Sequence, residues 1–170
     1  MGRKFYEVKD EFKKYGAEVS AHGVKQKIYP ETILPYRADP GSAGYDFATP
    51  VEVKVPPRGS VVFWTNVKAQ MEADEVLQIF VRSSIGINDG VTLANGTGII
   101  DASYFENASN DGNIGICLTN NTGHSKIYPA GTRLAQGIFL KYLSTEDDKP
   151  KATRRKGGTG SSGKTVEEGE

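Results

Sequence analysis

Val51-Glu52-Val53-Lys54-Val55-Pro56-Pro57-Arg58-Gly59-Ser60-Val61-Val62-Phe63-Trp64-Thr65-Asn66-Val67 is the stretch that decides the fold class. Val51, Val53 and Val55 alternate with polar neighbours, the period of a half-buried strand. Pro56-Pro57-Arg58-Gly59 interrupts the run as a turn, and Val61 to Val67 resumes as a second strand. The same pattern extends outward on the C-terminal side. Leu77, Ile79 and Val81 alternate, as do Ile114-Gly115-Ile116-Cys117-Leu118 and the residues from Ile138 to Tyr142. Between them fall the turn signals Asn88-Asp89-Gly90, Asn95-Gly96, Asn110-Asp111-Gly112 and Pro129-Ala130-Gly131. Many short strands with frequent turns predict an all-β protein, a jelly-roll-like β-barrel. No internal repeat is present.

The 170 residues suffice for one domain with a real core. The barrel is expected over residues 31–143, behind an N-terminal extension, 1–30, and ahead of a tail, 144–170. In the extension, Phe5, Val8, Phe12 and Tyr15 are spaced near 3.6 and predict a short amphipathic helix; an edge strand over Phe5–Val8 is the alternative. The tail is rich in Gly, Ser, Lys, Arg and Glu, with Val166 as its one branched aliphatic residue. It cannot build a core of its own and is expected to be a flexible, Gly-rich segment.

Lys+Arg and Asp+Glu balance at 21 each, so no global basic field points to nucleic acid; an anionic ligand must be held by a local cluster. The single cysteine, Cys117, excludes an intrachain disulfide framework and fits a reducing compartment, so a cytoplasmic location is expected. Alone in an apolar alternation, it reads as a core residue rather than a nucleophile. No apolar run reaches membrane-spanning length, and no signal-peptide pattern opens the chain; no membrane partner is expected.

Five segments carry chemistry. They are Gly41-Ser42-Ala43-Gly44-Tyr45-Asp46-Phe47; Arg82-Ser83-Ser84-Ile85-Gly86; Asn95-Gly96-Thr97-Gly98-Ile99-Ile100-Asp101-Ala102-Ser103-Tyr104; Gly131-Thr132-Arg133-Leu134-Ala135-Gln136-Gly137-Ile138-Phe139; and Arg155-Lys156-Gly157-Gly158-Thr159-Gly160-Ser161-Ser162-Gly163. Each alone has a plain structural reading. Asp101 after a Gly-rich turn can simply bond its own backbone. Asn95-Gly96 is a hairpin turn. Tyr104 can be a core aromatic, and Arg82-Ser83-Ser84 a capped turn, although an Arg with two hydroxyls and adjacent N–H groups also suits phosphate.

Together, in this order and spacing across residues 35–163, the five segments resemble the trimeric dUTPase family. The resemblance implies a dUTP diphosphatase that splits dUTP into dUMP and pyrophosphate, with Mg2+ as cofactor and a homotrimer as the working form. It implies that Asp101 activates the attacking water. Asn95, Gly98 and Ile100 would form the uracil pocket, whose polar groups reject cytosine. Tyr104 would lie under the deoxyribose, where a 2′-hydroxyl would clash. Arg82, Ser83 and Ser84 would hold phosphates. Asp46 and Gln136 would order the magnesium site through water, since magnesium keeps much of its hydration shell. Arg133 is given a structural role at the trimer interface.

In the fifth segment, Arg155, Gly158, Thr159, Gly160, Ser161 and Ser162 would fold over the nucleotide. Thr159 stands where relatives usually carry an aromatic that stacks on uracil. Where relatives commonly have Gly soon after the motif tyrosine, this chain reads Phe105-Glu106-Asn107 and runs on to Gly112. Gly158 to Thr165 also matches the P-loop letters, but charged residues precede it instead of a buried strand, so the match is read as coincidence. Two alternatives remain: a dCTP deaminase-type enzyme of the same fold, for which Glu106 is the nearest carboxylate, and a nucleotide-sensing regulatory binder acting through a partner.

Overall fold

The computed structural model describes residues 2–21 and 24–150. In chain order the strands are β1 (Lys4–Glu7), β2 (Ala17–Ala21), β3 (Val24–Ile28), β4 (Tyr45–Ala48), β5 (Val53–Val55), β6 (Ser60–Trp64), β7 (Val67–Gln70), β8 (Glu75–Val81), β9 (Val91–Leu93), β10 (Gly98–Asp101), β11 (Gly115–Asn120), β12 (Lys126–Tyr128) and β13 (Arg133–Lys141). A single α-helix among the described residues, α1 (Ser83–Asp89), follows β8. None of the described helices is long and apolar enough to cross a membrane.

The strands form a jelly-roll-like all-β fold, as their alternation predicts. One sheet runs β10-β8-β13-β4, a second runs β6-β11-β9, and β1-β7, β12-β5 and β2-β3 form two-stranded pairs. Val53 and Val55 are buried with Lys54 exposed between them, the period-two pattern of an outer strand. Phe47, Phe63, Leu77, Ile114, Leu118 and Leu134 are fully buried and fill the space between sheets. Cys117 departs from the core reading. It alternates with the buried Ile116 and Leu118, so it faces the other side of β11 and is only half-buried.

The N-terminal residues also depart from their helical spacing. Lys4–Glu7 is a strand that pairs antiparallel with β7, and Asp10–Phe12 is a single 3-10 turn. The spacing of the four apolar residues records four separate tertiary contacts. The Phe5 ring centroid lies 5.3, 5.6 and 5.4 Å from those of Tyr45, Phe47 and Phe139. Val8 is buried, and its N–H donates to the Asn66 carbonyl at 3.0 Å. The Phe12 carbonyl accepts from Asn113 Nδ2 at 3.1 Å, and the Tyr15 hydroxyl accepts the Trp64 N–H at 2.8 Å. A helix could satisfy its own backbone but could not reach all four partners, and the free edge of β7 supplies the alternative hydrogen bonds.

Phe5 therefore closes the aromatic end of the core. Phe5→Ala is expected to lower the unfolding free energy by about 2–4 kcal/mol, somewhat under the ~3–5 of a fully buried aromatic because Phe5 is only half-buried. Denaturant melts of both proteins check it; a loss under about 0.5 kcal/mol, the level of ordinary surface substitutions, would show that β1 lies idle on the barrel.

Candidate active site

β8 delivers Arg82 to the mouth of a cavity of about 400 Å³, lined among others by Ser42, Gly44, Asp46, Ser83, Ser84 and Gln136. Arg82 is the extended N-cap of α1, so Ser83 and Ser84 open the helix with N–H groups that have no partner within it. Asp46, on β4, is buried, and each of its oxygens has a cation. Arg82 Nε lies 3.1 Å from Oδ1, and the Arg133 guanidinium donates to Oδ2 at 2.9 Å. Two guanidiniums against one carboxylate leave the cluster net positive, suited to an anion. Gly44 leaves room for the Gln136 side chain: a Cβ there would come within 2.6 Å of Gln136 Oε1 and push the amide aside. The side chain of Gln136 occupies the space, which seats its amide in the cavity wall.

A second cavity, of about 440 Å³, lies beside the hairpin between β9 and β10. Asn95, Gly98 and Ile100 line it together with Trp64, Gly115 and Cys117, and most of the remaining wall is aliphatic. An apolar cleft with a few polar groups is a common form of small-molecule site. Gly98 is held against β8, where a Cβ would stand 3.0 Å from the Ile79 Cβ. Trp64, Gly115 and Cys117 carry no local motif. Only the outward phase of their strands, read together with the β6–β11 register, could have placed them here.

Asp101 ends β10 with high exposure, and Tyr104 follows in the 3-10 turn Ala102–Tyr104, buried. The Tyr104 hydroxyl donates to the Asn113 carbonyl at 2.9 Å and accepts from Asn110 Nδ2 at 2.6 Å. Asn107 organises the long loop between them. Its amide donates to the Tyr104 carbonyl at 2.8 Å, and its Oδ1 accepts from the Ser109 and Asn110 N–H groups at 3.1 and 3.2 Å. Gly112, at φ 82°, passes so close to Tyr104 that a Cβ would meet its carbonyl oxygen at 2.9 Å. Glu106 and Asp111 are non-glycine residues with positive φ, 53° and 56°, a conformation that costs energy unless the surroundings hold it. Both are held by Lys68, whose Nζ donates to Glu106 Oε1 at 3.0 Å and to the buried Asp111 Oδ2 at 2.9 Å. Asp111 Oδ2 also accepts the Lys9 N–H at 2.8 Å, tying the loop to the N-terminal segment.

The sheet register separates these groups. Cross-strand partners share a face. Asp101 pairs with Val76, and Val76 with Leu140; Ile99 pairs with Gln78, and Gln78 with Ile138; Phe80 pairs with Gln136, and Gln136 with Asp46. Asp101 and the Asp46–Gln136 pair thus stand on one face of one sheet, at opposite ends. Arg82 is six residues beyond Val76 along the same chain segment, roughly 20 Å at the strand rise of ~3.3 Å. The structure brings Asp46, Arg82, Ser83, Ser84 and Gln136 together. It brings Asn95, Gly98 and Ile100 together elsewhere, and the linings of the two cavities share no residue. Arg155, Gly158, Thr159, Gly160, Ser161 and Ser162 lie outside the described residues.

An all-β barrel with a cationic, hydroxyl-lined cavity and a separate hairpin cavity suits a protein that binds a phosphate-bearing small molecule. The dUTPase family model matches residues 31–163. The deoxyuridine 5′-triphosphate nucleotidohydrolase of Lactococcus lactis is 34% identical over 131 residues, covering 76% of this chain and 87% of that one. The crystal structure of the dUTPase from Streptococcus mutans superposes with a TM-score of 0.68 at 29% identity, covering 86% of this chain and 99% of that one. A variant dUTPase from phage phi11 of S. aureus, solved to describe the coordination of a structural Mg(II) ion, shares the fold at 17% identity and a TM-score of 0.63, covering 90% of this chain and 99% of that one. The chain belongs to the dUTPase family.

The Lys68 clamp makes a prediction. Burial pushes the ammonium down, but the hydrogen bonds to Asp111 and then Glu106 outweigh it, and its pKa stands above the ordinary 10.5. A raised pKa contributes stability that is complete below the unfolded value and fades as pH climbs through the folded one. Lys68→Met is expected to cost about 3 kcal/mol, as expected for stranding a buried carboxylate. That gap should stay level from neutral pH to about 9 and narrow only above the ordinary lysine range. Urea melts across this range check it; a gap that closes below pH 9 would show that another group holds the loop.

Proposed function

We propose that this protein hydrolyses dUTP to dUMP and pyrophosphate with Mg2+, as a homotrimer whose sites are completed between subunits. The observation that carries this is the separation of Asp101 from Arg82. A base acting at the α-phosphate and a cation holding the adjacent phosphates must lie within a few ångströms of one nucleotide, yet in one chain they are roughly 20 Å apart along β8. Two chains, each offering one end of the sheet, bring them together. The face between carries Ile99 and Leu140, both large, apolar and exposed, as a subunit contact requires.

In this reading Asp101 accepts the proton of a water attacking the α-phosphorus in line. Arg82 supplies a planar fork to the phosphates, fixed by its ion pair with Asp46, while Ser83 and Ser84 add hydroxyl and N–H donors. Asn95 and the Gly98–Ile100 backbone meet the uracil edge, and Tyr104, pinned through its hydroxyl, backs the deoxyribose. The donors fit a hydrated magnesium: the Asp46 oxygens and the Gln136 amide oxygen remain able to accept from its waters. Bound to the phosphates, the ion would neutralise charge on the leaving pyrophosphate. The tail, with Arg155, Gly158, Thr159, Gly160, Ser161 and Ser162, closes over the phosphates. A cytoplasmic location belongs to the same proposal and is supported by the lone cysteine, which suits a reducing compartment.

Two outcomes are expected. Pyrophosphate release should favour dUTP over dCTP, dTTP and UTP by at least about a hundredfold in kcat/KM, since unpaired polar groups in such pockets can discriminate by ~10⁴. Ammonia release from dCTP, or equal rates on UTP, would overturn the assignment. Asp101→Asn should bind dUTP with little change while kcat falls by ~10²–10⁴, the usual weight of a general base; near-normal turnover would reduce Asp101 to a turn residue.

A further inference from the structure

We propose that Trp64 is a nucleobase-contact residue whose indole forms an aromatic wall of the cavity beside the Asn95 hairpin. The proposal rests on the dUTP reading of that cavity and goes beyond it by assigning a residue from outside the five segments.

Trp64 ends β6 and stands directly opposite Gly115 of β11. A Cβ on Gly115 would meet three atoms of the indole's six-membered ring, at 2.8, 3.0 and 3.1 Å. Adjacent ring atoms are about 1.4 Å apart, so an approach past the ring edge would spread these distances widely. Their spread of only 0.3 Å, from 3.1 − 2.8, puts the position over the face of the ring. The indole therefore lies across Gly115 like a lid on its bare backbone. Any other residue at 115 would lift it away.

The ring is half-buried and lines the same cavity as Asn95, Gly98 and Ile100. Its strand end is anchored by the Tyr15 hydroxyl, which accepts the Trp64 N–H at 2.8 Å, and the Lys14 ammonium lies 5.7 Å from an indole ring centroid. Among the described residues that line the cavity, Trp64 is the one aromatic and Asn95 the one amide. A pyrimidine needs both features. Its N–H and carbonyl groups need partners in its plane, and its faces gain from an aromatic neighbour. The N-terminal residues, outside the matched family segment, acquire a role through this contact, because Tyr15 holds the strand end that carries the indole.

Trp64 is the only tryptophan in the chain, so its emission reports on this cavity alone. The full-length protein is titrated with dUMP, following tryptophan fluorescence and calorimetric heat in parallel, for the wild type, Trp64→Leu and Trp64→Phe. Calorimetry serves the Leu and Phe variants, which lack the fluorophore. The expected result is a wild-type emission change that saturates with the calorimetric Kd. Trp64→Leu should raise that Kd about fivefold to a hundredfold, the weight of base–aromatic stacking elsewhere, and Trp64→Phe should recover most of it. Calorimetric binding without any emission change, or with an unchanged Kd in a folded Trp64→Leu, overturns the role of Trp64 while leaving the dUTP reading intact. Absence of dUMP and dUTP binding altogether overturns the reading itself, and this proposal with it.

Discussion

β13 can lie between β8 and β4 only because residue 137 has no side chain. A Cβ at Gly137 would stand 2.8 Å from the Phe47 ring, 2.9 Å from Leu77 and 3.1 Å from Ile79. Those three residues belong to the core, so nothing there can yield cheaply. The close approach locks the register on both sides of β13, with Gly137 opposite Ile79 on one strand and Tyr45 on the other. The cationic end of the proposed site follows from that register. It sets Gln136 beside Asp46 and aligns Asp46 with Arg82 and Arg133, while the separate β8–β10 ladder carries the sheet on to Asp101 at the far end. A slip of one residue would move each of these side chains to the opposite face.

The far end of the sheet depends on polar chemistry instead. Tyr104 follows Asp101 closely, and its position is fixed by Asn107, Asn110 and Asn113 rather than by apolar packing alone. The loop that supplies them takes two left-handed turns at non-glycine residues, both held by the same lysine. Networks of this kind stabilise only when complete, and among the described residues every buried side-chain nitrogen or oxygen has a partner. The N-terminal segment belongs to the same network through Lys9, Phe12 and Lys14, which bond to Asp111, Asn113 and Asn66. The residues that lengthen the loop and those that precede the family segment thus stabilise one another.

Much of the architecture was legible because alternation and turn residues act locally. Val53 and Val55 announce a strand wherever they sit, and Arg82-Ser83-Ser84 after an alternating run announces donors at a strand end. Long-range pairing was not legible. Phe5, Val8, Phe12 and Tyr15 have helical spacing, yet each meets a different tertiary partner, and β7 offers an edge that no local rule reveals. Cys117 looked like a core residue because alternation fixes the phase of a strand but not which phase faces inward. Trp64 had no motif at all; its place depends on a glycine 51 positions later in the chain, brought opposite by the β6–β11 register. The separation of Asp101 from Arg82 was equally hidden, since the two are only 19 positions apart in sequence and the strand between them runs the other way.

That separation is the central claim, and subunit complementation tests it most directly. Asp101→Asn and Arg82→Gln each disable one end of the sheet. The two variants are co-expressed with different tags, the mixed assembly is purified through both tags, and dUTP hydrolysis is compared with each variant alone. If each site takes its aspartate from one chain and its arginine from the next, every mixed trimer carries one intact site in three, and activity rises toward about a third of wild type. If both residues served the same site from one chain, every site in the mixture would carry a defect, and the mixed protein would be as inactive as its parents.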